Sequence, residues 1–116
     1  MTVSRFLCAA FVVGLAHGSP AGAQEARKVL DGKQVFLDQK CNMCHGVSAA
    51  GITATSKIKA ADLTDVAAKL DAAWLGKYLR KQADSKGKQH TKAFTGSDEE
   101  LGALIAWLQK QVKAKK

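Results

Sequence analysis

The chain has 116 residues, with 18 Lys and Arg against 10 Asp and Glu, a net charge of +8. It contains no internal repeat and no low-complexity tract, so we expect one small domain and exclude repeat and multidomain architectures. The aromatic residues are not interleaved with the lysines, which argues against nucleic-acid binding despite the basic charge.

Residues 1–23 are typical of a secretory signal peptide. Arg5 supplies a positive start, residues 6–16 are apolar, and the Ala-Gly-Ala of residues 21–23 matches a cleavage site. The apolar run is about half of the roughly 20 residues that a membrane span needs. We therefore expect cleavage, a periplasmic mature chain of residues 24–116, and no membrane insertion of that chain.

The mature chain has few residues that can bind a metal or form a covalent link. It retains 17 basic residues, two cysteines (Cys41 and Cys44), two histidines (His45 and His90), one methionine (Met43) and no proline. A disulfide between the two cysteines would consume both thiols. Any site in this domain must be built from this small set.

The first predicted element is a helix over residues 29–39. Its apolar residues recur near helical spacing; they are Val29, Leu30, Phe36 and Leu37. This helix runs directly into Cys41-Asn42-Met43-Cys44-His45. The spacing CxxCH is that of covalent haem c attachment, with thioether bonds from the cysteines and iron ligation by the histidine. We expect one covalently attached haem per chain.

Thioredoxin-like redox sites and zinc sites also use paired cysteines, but this sequence fits both less well. Thioredoxin-like proteins place CxxC after a strand of a βαβ unit, and no alternating strand precedes Cys41. A zinc site would need Cys41, Cys44, His45 and His90 together, but zinc ligands are normally separated by two or more residues, and Cys44 and His45 are neighbours. The secretory signal also favours haem, which is attached outside the cytoplasm.

The remainder of the chain predicts further helices separated by loops. Residues 47–61 are small and polar and predict a loop, and residues 62–70 predict a short helix with Leu63, Val66 and Leu70 on one side. Asp71 is suited to cap a stronger helix. The apolar stripe of that helix is Trp74, Leu75, Tyr78 and Leu79, and Arg80 and Lys81 follow at its C-terminal end.

A polar loop is predicted for residues 82–96, and the last helix follows it. Ser97 and Glu100 form a capping box pattern, and Asp98 and Glu99 suit the positive end of the helix dipole. Apolar residues then recur at helical spacing; they are Leu101, Leu104, Ile105, Leu108 and Val112.

This order of elements around CxxCH resembles class I cytochrome c over the whole mature chain. The resemblance implies an all-α fold of three to five helices around one haem. In that family a glycine and an aromatic on the first helix cross an aromatic on the last, and Gly32, Phe36 and Trp107 stand at the matching places. A residue without a side chain lets two helices cross closely.

The chain departs from this family at the distal iron ligand. Class I members usually place a methionine before the last helix, whereas residues 90–96 here contain none. Counting back from Phe94 puts Lys92 at the methionine position, and His90 lies two residues earlier. A lysine amine must first lose a proton before it can bind iron, and its pKa is about 10. We therefore favour His90 as the distal ligand, with Lys92, water or an open site as the alternatives.

We also expect roles for three further features: a carbonyl acceptor and Trp74, both from the family resemblance, and Tyr78, from its O–H donor. Class I proteins use a prolyl carbonyl to accept the N–H of the proximal histidine; here we expect a backbone carbonyl within residues 47–60 to replace it. Trp74 and Tyr78 are candidate donors to the haem propionates, with simple packing against the haem as the equally weighted alternative.

These patterns predict a soluble monohaem electron carrier rather than an enzyme. Imidazole in place of methionine lowers the potential, so we expect a low-potential carrier with His45 and His90 as axial ligands. The alternatives are a cytochrome subunit of an oxidoreductase complex and a haem-based gas binder or sensor with a displaceable distal ligand. The basic surface predicts an acidic redox protein or a membrane oxidoreductase as partner, and a monomer or weak dimer.

Overall fold

The computed structural model describes residues 30–57 and 60–115. These residues contain three α-helices and no β-strand: α1 (Gly32–Asp38), α2 (Ala72–Leu79) and α3 (Asp98–Gln109). Short 3-10 turns occur at Cys41–Met43, Ser48–Ala50 and Ala67–Lys69. The predicted all-α fold is confirmed.

The N-termini of α2 and α3 are stabilised by the capping side chains that we predicted from the sequence. Asp71 accepts a hydrogen bond from the backbone N–H of Trp74 at 2.8 Å. Ser97 Oγ accepts from the N–H of Glu100 at 3.1 Å, while the Glu100 carboxylate accepts from the N–H of Ser97 at 2.8 Å. Each contact satisfies an N–H that has no partner within its own helix, so both helices begin where the local sequence indicates.

Helices α1 and α3 cross where α1 has a glycine. A Cβ atom on Gly32 would collide with the carbonyl oxygen of Ala103 and with Cβ of Trp107. The ring of Phe36 lies against that of Trp107, with 5.4 Å between centroids and a tilt of 48°. The expected crossing of Gly32, Phe36 and Trp107 is confirmed.

The core lies between these helices and the loops that connect them. α3 contributes more buried residues to this core than any other element does. α1, α2 and the connecting segments contribute the rest. The buried hydrophobic residues are Val35, Phe36, Val47, Ala67, Leu75, Phe94, Leu101, Leu104, Ile105 and Leu108. The irregular segments on both sides of α2 are thereby tied to one core, through Val47 and Phe94.

The helix predicted for residues 62–70 is wrong. Only the 3-10 turn Ala67–Lys69 forms there, because Asp65 adopts a left-handed backbone (φ 66°) that a right-handed helix cannot contain. Val66 is consequently 38% exposed. The side chain of Asp62, the first residue of this predicted helix, instead forms hydrogen bonds with other loop residues.

Two helix boundaries also differ from the prediction. α3 ends at Gln109, so Val112 lies beyond it and is 49% exposed rather than buried. α1 begins at Gly32 because Asp31 caps it; Val29 lies outside the described residues, as does the predicted signal peptide, residues 1–23. No helix in the described part of the chain is long and apolar enough to cross a membrane.

Candidate functional site

The two cysteines and the adjacent histidine emerge from one tight turn at the end of α1. Lys40 has a left-handed backbone (φ 60°) and redirects the chain into the 3-10 turn Cys41–Met43. The Cys41 carbonyl accepts from the N–H of Cys44 at 3.2 Å and from that of His45 at 2.9 Å. These bonds hold the three chemically important side chains of the motif on one short piece of backbone.

The two thiols are free but differ in environment. Cys41 is half-buried and packs against the core, whereas Cys44 is exposed. Burial raises the pKa of the Cys41 thiol, and the Lys92 ammonium opposes that rise. The Cys41 thiol is therefore kept protonated at neutral pH, next to the apolar side chains that it contacts.

The ring of His45 is oriented by a backbone carbonyl. His45 Nδ1 lies 2.8 Å from the carbonyl oxygen of Ala61, so Nδ1 donates when it carries the proton and Nε2 is then free to bind a metal. We expected this carbonyl within residues 47–60, and it comes instead from the next residue. The cause is long-range: the N–H of Ala60 is bonded to the Cys44 carbonyl at 3.0 Å, which brings Ala61 to the ring.

The ring of the second histidine lies close to that of the first. The rings of His45 and His90 are nearly parallel, with 12° between their planes and 6.1 Å between their centroids. His90 Nδ1 is 2.5 Å from the carbonyl oxygen of Lys92. Both rings therefore direct Nδ1 to a backbone carbonyl, and these contacts leave Nε2 available to bind a metal.

The other predicted site residues lie beside this pair. Tyr78 meets the His90 ring edge-on, with 5.4 Å between centroids and an angle of 69°. Trp74 stacks on Tyr78 at 5.0 Å and 10°. Lys92 does not join the rings, because its Nζ donates to the carbonyl oxygen of Gln39 at 2.6 Å. The structure thus gathers Trp74, Tyr78 and His90 into one aromatic wall.

The alternatives to haem find no support in this geometry. In residues 30–57 and 60–115, no three His, Cys, Asp or Glu side chains converge as a metal site, as zinc would need. The same residues form no strand, as a thioredoxin-like site would need.

Asp62 is a site residue that the sequence patterns did not indicate to us. Its carboxylate accepts hydrogen bonds from the N–H and the hydroxyl of Ser48 and from the N–H of Thr64. These bonds, that of the Ser48 hydroxyl first, lower the pKa of Asp62 to about 2. The sequence Asp62-Leu63-Thr64 is an Asx-turn pattern, and that local signal favours a turn over the helix that we predicted.

Comparison with known families identifies the chain. A family model described as Cytochrome c matches residues 29–111, which contain all the site residues described above. The chain belongs to the cytochrome c family. This cytochrome is accordingly an electron-transfer haem protein, and its family implies haem c bound covalently through Cys41 and Cys44. Searches of curated proteins and of solved structures gave no significant match.

The residues of the cytochrome fit such a group. Two free thiols adjoin one imidazole on a single turn, and a second imidazole lies nearly parallel to the first, with 6.1 Å between the ring centroids. Both rings have the Nδ1 contacts that orient a metal-binding histidine.

Proposed function

We propose that this cytochrome is a periplasmic, low-potential, single-electron carrier whose haem iron has His45 and His90 as its two axial ligands. When bound, the haem supplies a one-electron ferric/ferrous couple. Cys41 and Cys44 hold it covalently, His45 binds the iron on the side of the CxxCH turn, and His90 binds it from the opposite side.

The parallel pair of imidazoles is the single observation that carries this proposal. An imidazole–metal bond is about 2 Å long and the ring centre lies roughly 1 Å behind the nitrogen, so two imidazoles on opposite sides of one metal have centres roughly 6 Å apart. The His45 and His90 centroids are 6.1 Å apart. That separation matches the spacing expected for two imidazoles that bind one iron.

The contacts of Lys92 favour His90 as the distal ligand. The Lys92 ammonium donates to the Gln39 carbonyl, a bond that suits its protonated form, and a protonated amine cannot bind iron. The Lys92 carbonyl meanwhile accepts from His90. Lys92 therefore supports the orientation of His90 instead of competing with it.

The choice of ligand sets the redox character. Thioether ligation raises the potential of cytochromes c, and this distal segment offers imidazole in its place. Imidazole donates more strongly to ferric iron, so the oxidised form is stabilised and the potential falls.

We further propose an acidic redox partner, either a soluble protein or a membrane oxidoreductase. Four exposed lysines lie in or beside the loop that carries His90; they are Lys81, Lys86, Lys88 and Lys92. Such a surface attracts an acidic partner and raises the association rate, and increasing salt weakens both effects. The periplasmic location is supported by the signal pattern of residues 1–23.

Absorption and paramagnetic resonance spectra of the purified holoprotein test the axial ligands. We expect a low-spin ferric signal without a sulfur-to-iron charge-transfer band, and negligible binding of carbon monoxide to the reduced protein. His90→Ala should convert the spectrum to high-spin and permit rapid carbon monoxide binding. Lys92→Ala is the matched control and should retain the low-spin spectrum.

Retention of the wild-type spectrum by His90→Ala would show that His90 is not the ligand. Rapid carbon monoxide binding by the wild-type protein would instead favour a gas binder or sensor. Copurification with a larger catalytic chain would indicate a subunit of an oxidoreductase complex.

A further inference from the structure

The carbonyl that orients His45 belongs to a segment held against the CxxCH turn by a series of long-range hydrogen bonds. Ala60 N–H donates to the Cys44 carbonyl at 3.0 Å, and Leu63 N–H donates to the Gly46 carbonyl at 2.9 Å. Ala61, whose carbonyl faces His45 Nδ1, lies between these two bonds. The position of the Ala61 carbonyl therefore depends on how firmly the two segments are joined.

Asp62 provides the charged contact in this junction. Its Oδ2 lies 3.1 Å from the backbone nitrogen of Ser48 and accepts the Ser48 hydroxyl, while its Oδ1 accepts from the N–H of Thr64 at 2.8 Å. Hydrogen bonds to an ionised acceptor are roughly twice as strong as neutral ones. A single carboxylate thus links the backbone just after His45 to the backbone just after Ala61.

The neighbours of Asp62 complete the junction. Thr64, only 9% exposed, accepts from the N–H of Ala49 at 3.0 Å. Gly46 is buried, and a Cβ atom placed on it would lie 3.2 Å from Asp62 Oδ2. A side chain at position 46, directly after His45, would therefore be crowded by the Asp62 carboxylate.

A firm acceptor at Nδ1 changes the electronic character of a metal-binding imidazole. The more strongly Nδ1–H is hydrogen bonded, the more basic the ring becomes as a ligand through Nε2. A more basic imidazole stabilises ferric iron relative to ferrous iron. The strength of the His45–Ala61 bond is therefore a determinant of the reduction potential.

We propose that Asp62 is a positioning residue that lowers the reduction potential by holding the Ala61 carbonyl against His45 Nδ1. Asp62 acts with Ser48, from whose N–H and hydroxyl it accepts hydrogen bonds, and its influence on His45 passes through the Ala61 carbonyl. This inference rests on the proposed role of His45 as an iron ligand, and it does not depend on the identity of the distal ligand.

Three variants of the holoprotein separate positioning from simple electrostatics. Ser48→Ala removes one hydrogen bond and keeps the Asp62 charge, Asp62→Asn removes the charge and keeps an acceptor oxygen, and Asp62→Ala removes both. Asp84→Asn, at an exposed carboxylate in the loop before His90, is the control for loss of one negative charge.

The first measurement is the midpoint potential. We expect it to rise in Ser48→Ala and to rise furthest in Asp62→Ala, with a smaller change in Asp84→Asn. If Ser48→Ala leaves the potential unchanged while Asp62→Asn and Asp62→Ala shift it equally, the effect is that of charge alone and positioning is refuted.

The second measurement is the iron–histidine stretching frequency of the ferrous protein, recorded in a His90→Ala background so that His45 is the sole protein ligand. We expect Ser48→Ala and Asp62→Ala to lower this frequency, since a weaker bond at Nδ1 gives a less basic imidazole. An unchanged frequency in both would overturn the proposal.

Failure of the proposed function gives a different result. If the wild-type protein binds no haem, or binds it without ligation by His45, no such vibration is seen in any variant. If only the distal ligand is wrong, the Asp62 comparison remains valid, because it concerns the His45 side alone.

Discussion

The proximal segment (residues 41–57 and 60–64) and the distal segment (residues 82–96) each present one histidine ring, but they hold it differently. His45 is bonded to Ala61, which is 16 residues away in the sequence. His90 is bonded to the carbonyl of Lys92, which is only two residues away. One ring is therefore held by tertiary structure, and the other by a local turn that must itself be positioned.

The distal segment is anchored mainly by side chains, whereas backbone hydrogen bonds join much of the proximal segment to the CxxCH turn. Phe94 is buried, and its N–H donates to the Leu79 carbonyl at 2.8 Å. Side chains make further long-range contacts: Lys92 and Thr95 bond to Gln39 at the end of α1, and Arg80 donates to the Gly96 carbonyl at 3.3 Å. The bond of the exposed Lys92 side chain is expected to contribute little stability. As the proposed distal ligand, His90 should be displaced more readily than His45, because its carbonyl contact is to a residue only two positions away.

The largest effect is expected at the α1–α3 crossing, on which both segments depend. Gly32→Ala should destabilise the holoprotein by about 3 kcal/mol, because the added Cβ collides with backbone at Ala103 and with Trp107 and the helices must separate. Urea unfolding measures the change in the free energy of unfolding.

Gly102→Ala is the matched control within α3. A Cβ atom there meets nothing within 4 Å, so alanine should stabilise the helix by about 0.5–1 kcal/mol. Equal effects of the two substitutions would show that Gly32 is not required for close packing.

An intermediate effect is expected from the protonation of Asp62. Because folding lowers its pKa to about 2 from about 3.9 in the unfolded chain, the carboxylate stabilises the fold above about pH 4, and this contribution is lost as the pH falls toward about 2. Asp62→Asn should therefore be less stable than wild type at neutral pH, with a flatter stability profile in the acid range.

Urea midpoints measured between about pH 5 and about pH 2.5 test this dependence. Asp84→Asn serves again as the control and should retain the wild-type slope. If the urea midpoint of Asp62→Asn depends on pH as steeply as that of wild type, the Ser48 and Thr64 bonds do not stabilise the folded carboxylate.

The smallest effect on stability is expected in the distal segment. Lys92→Leu, which introduces no new iron ligand, should cost less than about 1 kcal/mol. It should nevertheless accelerate the displacement of His90 by added imidazole, by roughly fivefold if the lost bond is worth about 1 kcal/mol. Absorption stopped-flow of the ferric protein measures that rate.

Lys88→Leu is the appropriate comparison, since Lys88 is exposed in the same loop and the substitution removes the same charge. If both variants accelerate displacement equally, the effect comes from charge and not from the Lys92–Gln39 bond.

Local pattern in the sequence determined much of this molecule. The Asp71 cap and the Ser97–Glu100 capping box each join residues three positions apart, and both form as predicted. The buried stripe of α3 follows the same rule through Leu104 and its neighbours. Interactions within one helical turn depend on the adjacent residues alone.

The tertiary structure decided what the local patterns could not. The carbonyl at His45, the Asp62 junction and the parallel approach of His90 all join residues that are distant in the sequence. Such contacts depend on the tertiary packing that brings the two irregular segments together. The family resemblance and the small number of histidines could therefore identify His90 as a candidate, but they could not place its ring beside that of His45. The residue types came from the sequence, and their facing arrangement came from the fold.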